Sequence, residues 1–234
     1  MTGSLEELIL TLLASRSVTN PAVLHLIDDY AKYHWVLVIL GTISVVIFFT
    51  TLGWLWRKFW VGPDLIGNLR NVRGRAYFFL MTFIGFIATS MSLIVYANLQ
   101  NALHPKQGFR LAMHGLGIPD LGTKTARMHE SFYQWIESGD KTLPTYLTEV
   151  VENRLSWQLP KAVISTLLLI AAVYGTYKVW KLVVNSYQSF SRTKNFALFA
   201  SGVTLSLIST LLWVMAIANT QGSIAPLTLS LLFS

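Results

Sequence analysis

The stretch WVLVILGTISVVIFFTTLGWLW, from Trp35 to Trp56, contains no Asp, Glu, Lys, Arg or His. A helix needs about 20 apolar residues to cross the hydrocarbon core of a bilayer, so this stretch predicts a transmembrane span. Three further apolar stretches have a similar length: Ala76–Leu103, Leu159–Tyr177 and Asn195–Thr220. Helices are expected because backbone groups in lipid must find their partners within the segment. The sequence therefore predicts an all-α integral membrane protein with four transmembrane helices.

Composition agrees with a membrane protein. Apolar residues make up 53% of the 234 residues and charged residues only 12%, where a soluble domain carries about 25% charged residues. The chain has no cysteine, which excludes disulfides, thiolate metal sites and a cysteine nucleophile. No basic residue precedes the apolar part of the opening MTGSLEELIL, so we expect no cleaved signal peptide.

Basic residues are concentrated in two links between spans. Residues 57–75 and 178–194 together hold nine of the 18 Lys and Arg residues and one of the 11 acids. The positive-inside rule predicts that both links are cytoplasmic and that both termini are extracytoplasmic. Contact with anionic lipid headgroups, rather than with nucleic acid, then explains the net positive charge. The residues expected at the headgroups are Arg57, Lys58, Arg73, Arg75, Lys178, Lys181 and Lys194.

The two halves of the chain resemble each other. With Arg73–Pro105 set against Lys194–Pro226, eight of 33 positions are identical, including Ala-Asn-x-Gln near the end of each stretch. Each half contains two spans, so both halves point the same way across the membrane. We predict two parallel two-span repeats, each with additional extracytoplasmic amphipathic helices that lie on the headgroup layer or on each other.

The predicted boundaries follow the same order in each repeat. Repeat 1, residues 1–105, has an outer helix at 5–16, an outer helix continuing into a span at 21–56, the link at 57–75 and a span at 76–103. A Gly-containing outer linker covers 106–123. Repeat 2, residues 124–234, has an outer helix at 129–139, a helix at 144–157, a span at 159–177, the link at 178–194, a span at 195–220 and an outer tail.

Polar and small residues of the second span of each repeat are the candidate functional positions. Hydroxyl and carboxamide groups there fit either helix packing and helix-end capping or the wall and outer mouth of a pore. The candidates for a pore or a helix end are Asn98, Gln100, Asn219, Gln221, Thr89 and Thr210. The candidates for close helix packing are Gly85, Gly202 and Ser206. Asp29 and Glu152 are equivalent in the repeat, which predicts a structural role, such as pairing with Lys32 and Arg154.

All five histidines fall in predicted outer segments, and two follow a methionine. Imidazole and thioether groups suit copper, and histidine also suits haem, so copper or haem is one interpretation. The other is that these are ordinary structural or solvent-exposed histidines. The candidate metal ligands are His34, His104, Met113, His114, Met128 and His129.

No catalytic motif emerges, so a non-enzymatic protein is favoured. The spans carry no ionisable residue at mid-depth, which argues against proton-coupled transport. We favour an oligomerising channel or pore, because duplicated two-span units suit ring assembly. An accessory or structural subunit of a larger membrane complex is the alternative, and a metal- or haem-binding membrane enzyme subunit is a third. The expected partners are the lipid bilayer and either further copies of the chain or other membrane subunits, with no nucleic acid.

Overall fold

The computed structural model describes residues 4–15, 18–60, 72–185 and 192–232, and these residues contain eight α-helices and no β-strand. The predicted all-helical fold is therefore confirmed. The helices are α1 (Leu5–Ala14), α2 (Pro21–Trp60), α3 (Val72–Leu103), α4 (Pro105–Met113), α5 (Lys124–Ser138), α6 (Thr145–Asn185), α7 (Arg192–Ile224) and α8 (Pro226–Leu232).

Four of these helices are long and apolar enough to cross a membrane: α2, α3, α6 and α7. They contain 40, 32, 41 and 33 residues, which is more than a bilayer core requires. Each extends beyond its predicted span. The middle of the predicted links, residues 61–71 and 186–191, lies outside the described residues, and so does the predicted end of the first outer helix, at Arg16.

Helix α6 is continuous where two elements were predicted. A helix at 144–157 and a span at 159–177 were expected, but α6 runs through Pro160. Proline removes one backbone hydrogen bond from a helix, which usually kinks or ends it. Helices that cross membranes tolerate proline better, because neighbouring groups can satisfy the freed carbonyl.

Three shorter elements also differ from the prediction. Helix α4 occupies the first half of the predicted linker, and it begins with Pro105, whose missing N–H is not needed in a first turn. Helix α5 begins at Lys124 rather than 129, because the Thr123 hydroxyl accepts the N–H of Ala126 and caps the helix. The predicted outer tail contains α8.

The order of helix lengths is the same in both halves of the chain. Helices α1 to α4 have 10, 40, 32 and 9 residues, and α5 to α8 have 15, 41, 33 and 7. Pro105 and Pro226, the last aligned pair of Arg73–Pro105 and Lys194–Pro226, are the first residues of α4 and α8. Each half thus contains a short, a long, a long and a short helix in that order.

The chain divides into two compact units. Unit 1 contains residues 1–38, 96–161 and 219–234, and unit 2 contains 39–95 and 162–218. The four long helices contribute residues to both units, whereas α1, α4, α5 and α8 belong to unit 1 alone.

Unit 1 has its own hydrophobic core. Residues on one face of α1, including Ile9 and Leu13, pack with Phe109 of α4 and Phe132 and Ile136 of α5. Full burial of such a side chain stabilises a fold by about 1.5–3 kcal/mol. The short helices α1, α4 and α5 therefore pack on each other, which is one of the two arrangements predicted for the outer helices.

Asp29 ties α8 to α2 within unit 1, and the expected pairing with Lys32 is wrong. The buried Asp29 carboxylate accepts the N–H of Thr228 at 2.7 Å, in the first turn of α8. Lys32 instead pairs with the exposed Asp28 at 2.6 Å, one helical turn away. Short carboxylate side chains suit the bare N–H groups at a helix start, which explains the choice. Glu152, the equivalent residue in the second half, is exposed.

Unit 2 is a four-helix bundle in which each long helix contacts the next. Leu52 of α2 lies beside Gly85 of α3, and Phe79 of α3 stacks on Trp180 of α6. Trp180 also meets Phe199 of α7 edge-on, and Trp213 of α7 bonds to Ser44 of α2. Trp180 lies near the C-terminus of α6, whereas Phe79 and Phe199 lie near the starts of α3 and α7. The C-terminus of α6 and the N-termini of α3 and α7 therefore lie at the same end of unit 2.

Candidate functional site: a hydroxyl-lined cavity in the four-helix bundle

A cavity of about 380 Å³ lies among the four long helices of unit 2. Its walls are mostly Leu, Ile, Val and Phe side chains from α2, α3, α6 and α7. Five hydroxyl groups and one indole also line it: Ser44, Thr176, Ser206, Ser209, Thr210 and Trp213. Ligand sites commonly combine apolar walls with a few polar groups in this way.

Four of the hydroxyls donate to the backbone of their own helix. A hydroxyl has one proton to donate, so these groups retain only their acceptor lone pairs. The acceptors lie four residues earlier in each helix, at 2.8–2.9 Å. They are Leu40 for Ser44, Ala172 for Thr176, Gly202 for Ser206 and Ser206 for Thr210.

Three hydrogen bonds join neighbouring helices around the cavity. Trp213 Nε1 donates to Ser44 Oγ at 3.0 Å, and Trp180 Nε1 donates to Ser206 Oγ at 3.0 Å. Thr176 Oγ1 and Ser209 Oγ are 3.0 Å apart. Because Thr176 donates to its own backbone, Ser209 is the donor of that pair. All five hydroxyl protons are thus used inside the bundle.

The chemistry open to this cavity is limited by its residues. The described residues that line it include no Asp, Glu, Lys, Arg or His, so they offer no acid, base or charge to a reaction. The free lone pairs can accept only from a group that brings its own proton. The arrangement suits helix packing, or the holding of an apolar group, better than catalysis.

Gly202 and Ser206, the candidates for close helix packing on α7, both contact the side chain of Trp180. Trp180 covers Gly202 so closely that a Cβ at residue 202 would lie 2.9 Å from the indole Cε2. Its N–H reaches Ser206, one helical turn further along α7. Gly85 of α3, which aligns with Ser206 when Arg73–Pro105 is set against Lys194–Pro226, is less crowded than Gly202, since a Cβ there would lie 3.8 Å from Leu52 Cδ2. Thr210 lines the cavity, whereas its sequence counterpart Thr89 is exposed.

The two Ala-Asn-x-Gln motifs occupy different environments in unit 1. His34 Nδ1 donates to Asn98 Oδ1 at 2.6 Å, which requires the imidazole proton to be on Nδ1. Gln221 is 3% exposed and donates from Nε2 to the backbone carbonyl of Tyr33 at 3.1 Å. Gln100 is exposed, and Asn219 is half-buried. Asn98 and Gln221 therefore bond to residues of helix α2, whereas Asn219 is half-buried and Gln100 is exposed.

The candidate metal ligands are dispersed among different environments. Met113 and Met128 pack in the core of unit 1, His34 is bonded to Asn98, and His104 and His114 are exposed. His129 is buried. Within the described part of the chain, no three His, Cys, Asp or Glu residues lie close enough to hold a metal ion. Binding of copper or haem therefore stays a prediction, and the described residues form no cluster of ligands that supports it.

All seven residues expected at lipid headgroups are exposed. They lie in the last turns of α2, in the first turns of α3 and α7 and near the end of α6. Lys178 Nζ lies 5.2 Å from the ring centre of Tyr174, and Lys181 Nζ lies 5.9 Å from that of Tyr177. Aromatic rings beside basic groups are typical of the membrane–water boundary.

The indole hydrogen bonds of Trp180 and Trp213 were missed from the sequence. A signal for them existed, because a tryptophan within an apolar helix usually finds a partner for its N–H. Hydroxyl and carboxamide side chains are the polar partners available in these spans besides the backbone. The sequence could not specify which hydroxyl faces which indole.

No protein-family model matches the chain, and no curated protein or solved structure matches it. Function is therefore inferred from the chain's own residues, their contacts and their surroundings.

Proposed function

We propose that the protein is a non-catalytic integral membrane protein that acts as an accessory subunit, with its spans packed against other membrane proteins. One observation carries the proposal. The hydroxyls of Ser44, Thr176 and Ser206 are bonded inside the bundle of a single chain. A pore assembled from several copies needs polar groups that face outward, towards the neighbouring copy.

The outward surface of unit 2 supports packing rather than conduction. On α3, exposed Thr82 and Thr89 alternate with Phe86, which is 72% exposed, and with Leu93, which is 66% exposed. Phe86 and Leu93 lie on the same face of α3 as the two threonines, so this face has no continuous row of polar side chains to line a water-filled channel. Such a surface fits lipid tails or the apolar spans of another protein.

A non-enzymatic role is supported by the chemistry of the described cavity. Its lining offers hydroxyls whose protons are already donated and no ionisable group. General acid–base or nucleophilic catalysis would need a titratable side chain beside the hydroxyl that reacts.

Two features of organisation belong to the same proposal. The repeated short–long–long–short order of helices supports an origin by duplication of a two-span unit. The clustering of basic residues at one end of unit 2 supports cytoplasmic links, with both termini extracytoplasmic.

An oligomeric pore is the second candidate, because Thr82 and Thr89 are exposed on α3 and seven residues apart, on one face of the helix. In that arrangement, copies of α3 would face each other across the channel. If copies of this chain form a pore, replacing both threonines with valine would change its conductance. If the chain is an accessory subunit, the same replacement would leave its assembly with the partner unchanged.

Cross-linking in native membranes separates the two candidates. A photo-reactive residue at exposed Phe86 would be compared with one at Ala88, which is two residues away and fully buried. The accessory-subunit proposal predicts a discrete product with a different polypeptide from residue 86 and none from residue 88. A ladder of products between copies of this chain would contradict it and favour the pore.

A further inference from the structure

One hydroxyl in the cavity of unit 2 differs from the other four. Each of the four takes part in a hydrogen bond between helices, and these are Ser44, Thr176, Ser206 and Ser209. Thr210 Oγ1 donates to the backbone carbonyl of Ser206 in its own helix, at 2.9 Å, and bonds to no other helix in the described part of the chain. A hydroxyl that donates in this way keeps its acceptor lone pairs. Thr210 therefore presents an acceptor to the cavity that the bundle itself does not use.

The cavity is large enough for an organic molecule. Its volume is about 380 Å³, and dry apolar cavities of about 150 Å³ already take up molecules of the size of benzene. Water suits this space poorly, because a buried water needs several polar partners and most of the wall is apolar. Protein interiors contain few empty voids of this size, so an occupant is expected.

The surroundings of the cavity indicate that its occupant comes from the bilayer. All the lining residues fall within the four predicted spans, and the described lining carries no charge. Val173 of α6 lines the cavity and is 51% exposed, so the cavity extends to the surface of the bundle. A charged molecule is costly to place at this depth. The occupant is therefore neutral and soluble in lipid.

The hydrogen bonds around the cavity select the polar group of the occupant. The hydroxyl protons and the indole N–H of Trp213 are already donated within the bundle. A ketone, ester or ether oxygen would find no donor there, and burial of a polar group without a partner is unfavourable. A hydroxyl on the occupant can instead donate to Thr210 Oγ1.

We propose that this cavity binds a neutral lipid alcohol, a molecule with an apolar body and one hydroxyl group. Its hydroxyl donates to Thr210 Oγ1, and its apolar body lies against the Leu, Ile, Val and Phe side chains of the four long helices. The site is contained in a single chain, so binding does not depend on a partner subunit. A ligand that binds the folded bundle also stabilises it.

Equilibrium dialysis of the full-length protein in phosphatidylcholine nanodiscs tests the site, with empty nanodiscs as the measure of partition into lipid. The probe is 1-octanol, and octyl methyl ether, which cannot donate a hydrogen bond, is the matched control ligand. We expect saturable binding of the alcohol above partition. The ether should bind about three- to tenfold more weakly, which is the effect of one neutral hydrogen bond.

Two results of this comparison would overturn the proposal. Equal binding of the alcohol and the ether would show a purely apolar pocket, such as one that holds an acyl chain of a phospholipid. Absence of saturable binding of the alcohol would show that the cavity is filled in the membrane by something else, such as a side chain of a partner subunit.

A pair of variants locates the binding. Thr210→Val keeps the shape of the side chain and removes the acceptor, so it should weaken binding of 1-octanol about three- to tenfold and leave the ether unchanged. Thr89→Val is the matched control, because Thr89 aligns with Thr210, is exposed and does not line the cavity. An unchanged ratio of alcohol to ether affinity in folded Thr210→Val protein would contradict the assignment. The comparison of the two ligands on the unaltered protein stands even where this variant fails to fold.

Discussion

Trp180 of α6 contacts both α3 and α7 in unit 2. Its indole ring stacks on Phe79, covers Gly202 and donates its N–H to the Ser206 hydroxyl. The small residues of α7 thus serve to admit one large side chain of α6. The sequence identified Gly202 and Ser206 as packing candidates, but it could not name Trp180 as their partner, because pairing between helices depends on tertiary structure.

A methyl group at residue 202 should therefore be destabilising. Gly202→Ala would place Cβ 2.9 Å from the indole of Trp180, and overpacking of this kind costs about 1–3 kcal/mol. We expect a lower midpoint of thermal unfolding in detergent. Gly175→Ala is the control, because no atom lies within 4 Å of a Cβ there. Equal midpoints for both variants would show that Trp180 moves aside without cost.

His129 should give unit 1 a pH-dependent stability. Its pKa is lowered by burial from the ordinary 6.5, so the unfolded chain binds a proton at a higher pH than the folded chain does. Stability should therefore fall as the pH drops below about 6.5, where the unfolded state holds more protons.

This pH dependence is checked by thermal unfolding between about pH 7 and about pH 5, where an ordinary histidine gains its proton. His129→Gln should lose less stability over this range than the unaltered protein. His104→Gln, which changes an exposed histidine, should behave like the unaltered protein. A wild-type-like pH slope in folded His129→Gln protein would refute the assignment to His129.

At the scale of helices, the apolar stretches predicted the four long helices, but the sequence did not predict the helical connections at Pro160 and in α4. A helix is present at 159–177 as predicted, but it is part of α6, which continues through Pro160 without a break. The sequence predicts a linker at 106–123 because this segment contains four glycines, but α4 occupies its first half. Gly108 instead allows close approach, since a Cβ there would lie 2.9 Å from the Tyr30 hydroxyl. Local propensity cannot reveal such a tertiary reason.

The N-terminus of α8 depends on a residue that is distant in sequence. Asp29→Ala would leave the buried N–H of Thr228 without its acceptor, which costs about 1–3 kcal/mol. We expect a lower unfolding midpoint and faster hydrogen exchange at the start of α8. Asp28→Ala, which removes an exposed pair with Lys32, should cost much less. Similar losses in the two variants would argue against Asp29 as the helix cap.

At the scale of the whole molecule, the sequence predicted the class of fold and the number of long helices. Charge-free stretches of span length are a strong physical signal, because a bilayer permits few alternatives. The division into two units and the covering of α1 by α4 and α5 could not be predicted, since amphipathic faces do not identify their partners. The packing of Met113 and Met128 in the hydrophobic core and the hydrogen bond of His34 to Asn98 had no sequence signal either.

The orientation in the membrane is testable because the chain has no cysteine of its own. Single cysteines at Glu137 in α5 and at Lys58 at the end of α2 would be treated with an impermeant maleimide on intact cells. The positive-inside rule predicts labelling at residue 137 only, with residue 58 labelled after permeabilisation. The reverse pattern would show that the basic links are outside.

The central claim is that the spans form a self-contained bundle that packs against a different membrane protein. Native mass spectrometry of the protein, extracted with its surrounding lipid by an amphipathic polymer, tests this claim most directly. The proposal predicts a mass equal to one copy of this chain plus a distinct polypeptide at a fixed ratio. A closed ring composed only of copies of this chain would contradict it.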